Sequence, residues 1–483
     1  MSNGIKANKI DDYTWEIPKT GGMRVPGRVY ADESLFASVA RDNCLQQVVN
    51  VAHLQGIVRY SMAMPDAHWG YGFPIGGVAG TDIAEGGVIS PGGVGYDINC
   101  GCRVLATGLT HDEVKDKIGK IVNALYSDVP CGVGSSGAIS KLSVGELKKL
   151  LREGAAWAVK RGYGKEADLE CTEERGAMES ADPDALSERA LERGRNQVGT
   201  LGSGNHFLEV GVVERVFDPE VARVFGLEEG RITVMIHSGS RGLGYQVCDD
   251  SLKVMQRAVE KYHLRIPDRQ LACAPVQSPE GQQYLAAMSA AANYAWANRQ
   301  VMMALVARAL ERALGAGPKD LNVRLVYDVC HNIAKLEKHD VERERKTLCV
   351  HRKGATRSFP PGHPDVPERY KNVGQPVLVP GDMGTGSYVC VGTREALENT
   401  FGSACHGAGR MMSRSKAIKR GKGRSIDREL EKQGVIVKAR QRKTLAEEMP
   451  DAYKNVDAVV DVMHAAKICR KVVRIQPLGV VKG

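Results

Sequence analysis

The apolar positions of this chain change period several times along its length. After Ser143 they recur every three to four residues through LKKLLREGAAWAVKRG. Ser143-x-x-Glu146 forms a capping box in front of them, so a helix is predicted there. Ser278-Pro279 opens a longer, alanine-rich helical pattern that runs to about Leu314, with serine suited to the cap and proline to the first turn. Its Met and Leu stripe reads as a core-facing side. Three shorter runs are β-branched and apolar: RITVMIH ending at His237, VRLVYDV before His331, and QPVLVP before a glycine loop. They are predicted strands. Helices and strands alternate without a regular βαβ rhythm, which predicts a large α+β domain. The stretch from Gly164 to Glu188 is acidic and irregular, and is expected to be a solvated surface loop.

Composition narrows the class. With 43% hydrophobic and 25% charged residues in 483, the chain has the make-up of a soluble globular protein. No apolar run reaches the ~18 residues of a membrane span. The N-terminal MSNGIKANKIDDYTWEIPK lacks the apolar segment of a secretory signal. Twelve cysteines without a repeating framework are expected to stay reduced, in the cytoplasm. A net charge of +9 is compatible with a polyanionic partner without requiring one. Aromatics make up 5%, too few for repeated base-stacking platforms, whereas 54 glycines cluster in loops where backbone approaches ligands.

Four segments put a potential metal ligand at a strand end or beside a glycine turn. SPGGVGYDINCGCRV offers Asp97 and Cys100, with Cys102 beyond. GTLGSGNHFLEVGVV brings His206 into a strand on which Phe207 and Glu209 share a face. MIHSGSRGLG supplies His237, and YDVCHN supplies His331. Taken singly, a buried thiol or a structural histidine explains each. Together, three imidazoles, a thiolate and a carboxylate suffice for two ions, with the thiolate able to bridge them. Zinc, manganese and cobalt all accept that mixture.

Two further segments suit phosphate. In GSACHGAGRMMSRSKAIKR, His406 stands just before Gly407-Ala408-Gly409, where a loop is expected to run into a helix whose free N–H groups favour an anion. An imidazole nitrogen can also attack phosphorus; a helix-capping histidine is the plainer alternative. PGDMGTGSY, after the third strand, is a glycine loop that is not a Walker A sequence. Basic residues adjoin these motifs: Arg414, Lys416, Lys419, Arg420, Lys422 and Arg424; then Lys438, Arg440, Arg442 and Lys443; and Arg352, Lys353 and Arg357. They are candidates for nucleic-acid backbone contacts, against the alternative of a solvated charged face.

The segments GVGYDINCGCR, GSGNHF, IHSGSRG, CHN, HRKGATR, PGDMGTGSY, CHGAGR and the ending RIQPLGVVKG resemble the RtcB family of tRNA-splicing RNA ligases. The likeness extends over nearly the whole chain. It implies one catalytic domain over residues 1–483, α+β in class, with mixed sheets and helices around a central metal- and nucleotide-binding cleft. It implies GTP- and Mn²⁺-dependent joining of RNA 3′-phosphate or 2′,3′-cyclic phosphate ends to 5′-hydroxyl ends, in tRNA splicing or RNA repair. His406 would be the nucleophile that becomes guanylylated. Asp97, Cys100 and His206 would hold one Mn²⁺, and His237 and His331 would complete a second site around the bridging Cys100. Asn205, Phe207, Glu209, Pro380, Gly381, Met383, Ser387, Tyr453 and Lys482 would bind the nucleotide, with Gly407, Ala408, Gly409 and Arg410 cradling phosphate. Arg193, Arg241, Lys353 and Arg414 would touch RNA. The partners implied are tRNA exon halves or broken RNA, GTP, and an archease-type activator, with no membrane. The alternatives are a two-metal phosphoesterase or nuclease that needs no His406, and a non-catalytic RNA-binding component.

Overall fold

The computed structural model describes residues 4–483. The α+β class is as expected: helices pack on two large sheets and on the loops between them. The elements that position the site are β1 (Ser61–His68), β2 (Gly101–Thr110), β3 (Phe207–Val216), β4 (Arg231–Ser238), the helix α1 (Pro279–Leu314), β5 (Arg324–Cys330), β6 (Ser387–Gly392), the helix α2 (Arg414–Arg420) and β7 (Cys469–Lys482).

One sheet runs in the order β5–β2–β4–β3–β7–β6 and ends on Pro376–Val379, antiparallel along that path. The other contains β1, paired with Ile75–Asp82, which in turn pairs with Glu344–Lys353. The three strands expected from their β-branched runs are β4, β5 and Pro376–Val379.

Both helix expectations hold, with one adjustment. The Ser143 hydroxyl accepts from the Glu146 N–H, but the helix stops at Glu153, because Gly154 turns into the left-handed region before Ala155–Val159 resumes. α1 is 36 residues long, capped by Ser278 and closed by a left-handed Gly315. At 1.5 Å per residue it is long enough, roughly 54 Å, to serve two cores. Its first half packs Tyr284, Met288 and Trp296 with Leu147 and Trp157. Its second half packs Val306 and Leu310 with Val104, Leu208 and Ile236 of the sheet.

The segment 164–188 is not a solvated loop. It forms Glu166–Glu170 and a short turn at Glu173–Gly176. Glu173 is buried, and with Glu174 it neutralises Lys335; Glu174 also pairs with Arg357. Two of its acidic residues, Glu173 and Glu174, are thus counter-ions of buried cations, while Glu166, Glu170, Glu179, Asp182, Asp184 and Glu188 face solvent as expected. Among the described residues, no helix is long and apolar enough to cross a membrane.

Candidate metal and nucleotide site

Antiparallel pairing makes the starts of β2 and β3 and the ends of β4 and β5 share one edge of the sheet. Gly101 lies opposite both Cys330 and Ser238, and Phe207 lies opposite His237. Cys100, His206, His237 and His331 therefore meet although they are far apart in sequence. Cys100 Sγ lies 3.3 Å from His206 Nε2 and 3.2 Å from His237 Nε2. His237 Nε2 lies 3.2 Å from His331 Nε2, and His206 Nε2 lies 2.8 Å from Asp97 Oδ2. Two donor triads result, Asp97–Cys100–His206 and Cys100–His237–His331, sharing the thiol.

The buried surroundings set the protonation. Burial, helped by the neighbouring histidines, drives His237 and His331 well below the usual imidazole range, so both present neutral rings. His206 Nδ1 lies 2.9 Å from the Leu201 carbonyl, which can only accept. That contact turns Nε2 toward a carboxylate and a sulfur. Burial alone would raise Asp97, but the His206 contact and charge hold it down to about 2. Burial and Asp97 push the Cys100 thiol well up. A carboxylate, a thiol and three imidazoles converging within hydrogen-bond distance in a buried site are the ligand types that divalent metals take, so the donor set fits such an ion, which would displace the thiol proton.

The frame behind these donors comes from α1. Arg299, fully buried, donates to the carbonyls of Asn99 and Ser238 at 2.8 and 2.9 Å, each beside a donor residue. It also clasps Asp328, three residues before His331, at 2.8 and 2.9 Å. Asn298 fastens Gly199, Thr200 and Gly239. Asn99 is held at a φ of 51° by its N–H to Asn332 and its amide to Ala292, which turns the chain into Cys100. The segment expected to be a solvated loop also reaches this frame: Glu173 accepts from the Cys330 N–H at 2.8 Å.

His406 follows the short strand Ser403–Cys405, which pairs with Ala355–Arg357. Its ring centroid lies 4.8 Å from that of His331. Nδ1 lies 2.6 Å from Asp66 Oδ2, which also takes the His406 backbone N–H at 3.1 Å. Asp66 is fully buried in β1. A carboxylate in that position fixes the proton on Nδ1 and leaves Nε2 free. The sequence reading missed Asp66; its signal was an Asp-x-His at a strand end before glycines, in PDAHWGYG. Gly354, at φ +60°, leaves room for the ring, since a Cβ there would sit 3.1 Å from His406 Cε1.

No helix begins at Gly407-Ala408-Gly409, contrary to expectation. α2 starts at Arg414 with Ser413 as cap, and residues 407–412 are a loop pressed against β1: a Cβ on Gly409 would strike the Asp66 carbonyl at 2.1 Å. Any phosphate contact there comes from loop backbone.

A cavity of about 980 Å³ joins these parts. His406, Asn205, Phe207, Glu209, Gly407, Ala408 and Gly409 line it, as do Pro380, Gly381, Met383, Tyr453 and Lys482. Ser387 sits behind the wall and donates to Glu209 Oε1 at 3.2 Å. Burial raises Glu209 to about 8 and lowers Lys482 to about 8. Lys482 donates to the Gly204 carbonyl and lies 5.5 Å from the centre of the Phe207 ring. The Arg410 side chain reaches the cavity but is already engaged with Glu448, Tyr453 and the carbonyls of Glu447 and Met412.

The RNA candidates divide. Arg414 lines the cavity, exposed and paired with Glu447 at 2.8 Å. Arg193 is exposed outside it over Tyr245, and Arg241 lies 3.4 Å from Thr200. Lys353 is unsuited: it is buried, burial lowers it to about 7, and it donates to the carbonyls of Tyr71, Phe73 and Gly92. Arg352 and Arg357 are likewise buried in pairs with Glu337 and Glu174.

The family model described as tRNA-splicing ligase RtcB matches residues 47–483. The chain is 55% identical to the tRNA-splicing ligase RtcB of Archaeoglobus fulgidus over 477 residues, 98% of each protein. It is 53% identical to that of Thermococcus kodakarensis over 484 residues, the whole of both. It is 51% identical to the RNA-splicing ligase RtcB of Mycobacterium tuberculosis over 438 residues, 90% of this chain and all of that one. On a family model matching residues 47–483 and relatives 53–55% identical over nearly the whole chain, the chain belongs to the tRNA-splicing ligase RtcB family.

Proposed function

We propose that this protein is an RNA ligase that uses GTP and Mn²⁺ to join a 3′-phosphate or 2′,3′-cyclic phosphate end to a 5′-hydroxyl end, acting on tRNA exon halves or broken RNA in the cytoplasm. The observation that carries this reading is His406. Its Nδ1 is tied to buried Asp66, and its ring lies beside a two-metal donor set in one cavity. A two-metal phosphoesterase with the same donors would not need a nucleophilic imidazole there, so a GMP adduct on His406 separates the two readings.

His406 Nε2 attacks the α-phosphorus of GTP. The nitrogen–phosphorus bond forms, the bond to the β-phosphate oxygen breaks, and pyrophosphate leaves. Asp66 balances the charge that develops on the ring, as an oriented carboxylate does for a catalytic histidine. A cyclic end is first opened by water to the 3′-phosphate. An oxygen of that phosphate then attacks the guanylate, the nitrogen–phosphorus bond breaks, and RNA-3′-pp-5′-G forms. The 5′-hydroxyl attacks the RNA phosphorus, loses its proton, and GMP leaves. Two Mn²⁺, held by Asp97, Cys100 and His206 and by Cys100, His237 and His331, would offset the negative charge of the phosphates. Glu209 as carboxylate accepts from the guanine N1 and N2 donors, beside Phe207 and Lys482; adenine offers no such pair.

Incubation with labelled GTP and Mn²⁺, followed by intact-mass measurement, should reveal one GMP adduct that His406→Ala removes. RNA ends joined normally by that variant would refute the reading.

A further inference from the structure

Of the large hydrophobic side chains that stay exposed among the described residues, two line the cavity: Trp69 at 56% and Met411 at 59%. Each follows one member of a contact pair, since the Arg410 N–H points at His68 Nδ1 at 3.4 Å. Trp69 and Met411 are therefore the chain neighbours of two residues in contact, and both line the same cavity. Neither sits on a loose tip. The Trp69 N–H donates to Asp42 at 2.8 Å, and Gln47 clamps Gly70 through both its N–H and its carbonyl. The Met411 N–H donates to the Ala452 carbonyl at 2.8 Å.

The other tryptophans have covered faces. Trp15 stacks on Phe36 at 4.0 Å, Trp157 lies under Arg161 and Trp296 near Lys335. Trp69 alone, among the described residues, has no ring or cation packed on it. A rigidly mounted, open indole is costly to leave in water, and a polarizable thioether beside it suits a flat ring. Arg41 and Lys416 line the same mouth, so an apolar face is set among cations. That combination fits an unpaired base carried on a phosphate backbone. The guanine of GTP is accounted for elsewhere, at Glu209 and Ser387 on the strand side of the cavity.

We propose that Trp69, with Met411 beside it, is a stacking platform for an unpaired base of the RNA end, close to the phosphate that reacts at His406. The identity of the strand rests on the ligase reading above. Because every base has a π face, the platform accepts any sequence and requires only that the base be unpaired.

The test uses the full-length protein without GTP and two fluorescein-labelled single-stranded RNAs. One ends in a 3′-phosphate; the other has a 5′-hydroxyl and a blocked 3′ end. The two arms identify which end lies on the platform. Trp69→Ala should weaken one arm roughly 5- to 150-fold, the range of one lost base–aromatic stack. Trp69→Tyr should restore most of it, and indole fluorescence should be quenched on binding only where Trp69 is present. Abasic substitution at one position should cost the wild type the same factor and cost Trp69→Ala nothing more. Unchanged affinity in both arms overturns the platform. So does a loss that Tyr fails to rescue, or abasic losses that persist in Trp69→Ala at every position. Unchanged RNA affinity with a changed sedimentation coefficient also overturns it, making a second copy of the chain the occupant. Base-dependent binding through Trp69 without any GMP adduct on the wild type would instead refute the ligase reading and leave the platform standing.

Discussion

Two groups of buried polar side chains lie back to back in this protein, and they are built on opposite rules. Around Asp328 the cluster is closed but for one atom, Arg103 Nη2, which has no partner. All five N–H bonds of Arg299 find acceptors, on Asp328, Asn99 and Ser238, and Arg103 adds a 2.7 Å contact to the same carboxylate. Around Cys100 the cluster is open. Four potential metal-ligand atoms from Cys100 and three histidines crowd one another at 3.2 to 3.3 Å, and His237 Nδ1 has no partner. Buried polar groups are ordinarily satisfied, so the closed cluster is what a frame should look like and the open one is what a cation receptor should look like. The frame touches the receptor through the carbonyls beside Cys100 and His237, so the one holds the other in shape.

The sharpest way to break this contrast is to open the closed side. Asp328→Ala leaves two buried guanidinium groups without their anion, and should cost about 3–5 kcal/mol of folding stability in a denaturant titration. A loss below about 1 kcal/mol would mean that Arg103 and Arg299 are not a frame. Next comes the junction of the two styles, where His406 is satisfied on Nδ1 and open on Nε2. Asp66→Asn cannot hold the same tautomer and should slow formation of the GMP adduct by about 10²- to 10⁴-fold, with a thermal midpoint close to wild type. An adduct rate at the wild-type level would remove Asp66 from the mechanism. On the open side itself, Cys100→Ala should leave metal-free stability nearly unchanged. Mn²⁺ at a hundred times its Kd should stabilise the wild type by about 2.7 kcal/mol and the variant far less. Full Mn²⁺ stabilisation of Cys100→Ala would end its role as the shared ligand.

The open cluster was easier to find in the sequence than the closed one, and the reason is physical. Ligands at strand ends carry local signals: a glycine turn, a β-branched run, then Cys100, His206, His237 or His331. What brings them together is antiparallel register, which no short window contains. The frame has no such signal. Arg299 lies in the middle of an alanine-rich helix whose pattern announces only burial, and its partner Asp328 sits in an apolar strand. Glu173 and Glu174 looked like solvated charge because their counter-ions, Lys335 and Arg357, are far away in the chain. The same blindness made Lys353 look like an RNA contact, although burial and three carbonyls hold it inside. The helix misplaced at Gly407 shows the limit of glycine as a marker: here glycine lets a loop press on β1, and the cap is Ser413.

Glu209 refines the contrast, because it is buried and open yet titrates within reach. It faces Ser387 on β6, Lys482 on β7, Asp382 in the glycine loop and Cys102 on β2. Burial raises its pKa to about 8, the Ser387 hydroxyl and Lys482 lower it, and Asp382 raises it further. Below about 8 the free carboxyl is therefore mostly protonated, whereas two guanine N–H donors require the carboxylate. Binding then releases a proton, so GTP affinity should increase with pH, by up to about tenfold per unit, until the free group has ionised near 8. Above that, Lys482, which burial lowers to about 8, loses its charge beside the nucleotide, and the gain should stop or reverse. In Glu209→Gln the rising limb should vanish while the decline through Lys482 remains. A wild-type affinity flat from about pH 6 to about pH 8 would mean that guanine does not meet Glu209 as a carboxylate. The open side of the cavity would then have to be read as serving the metal alone.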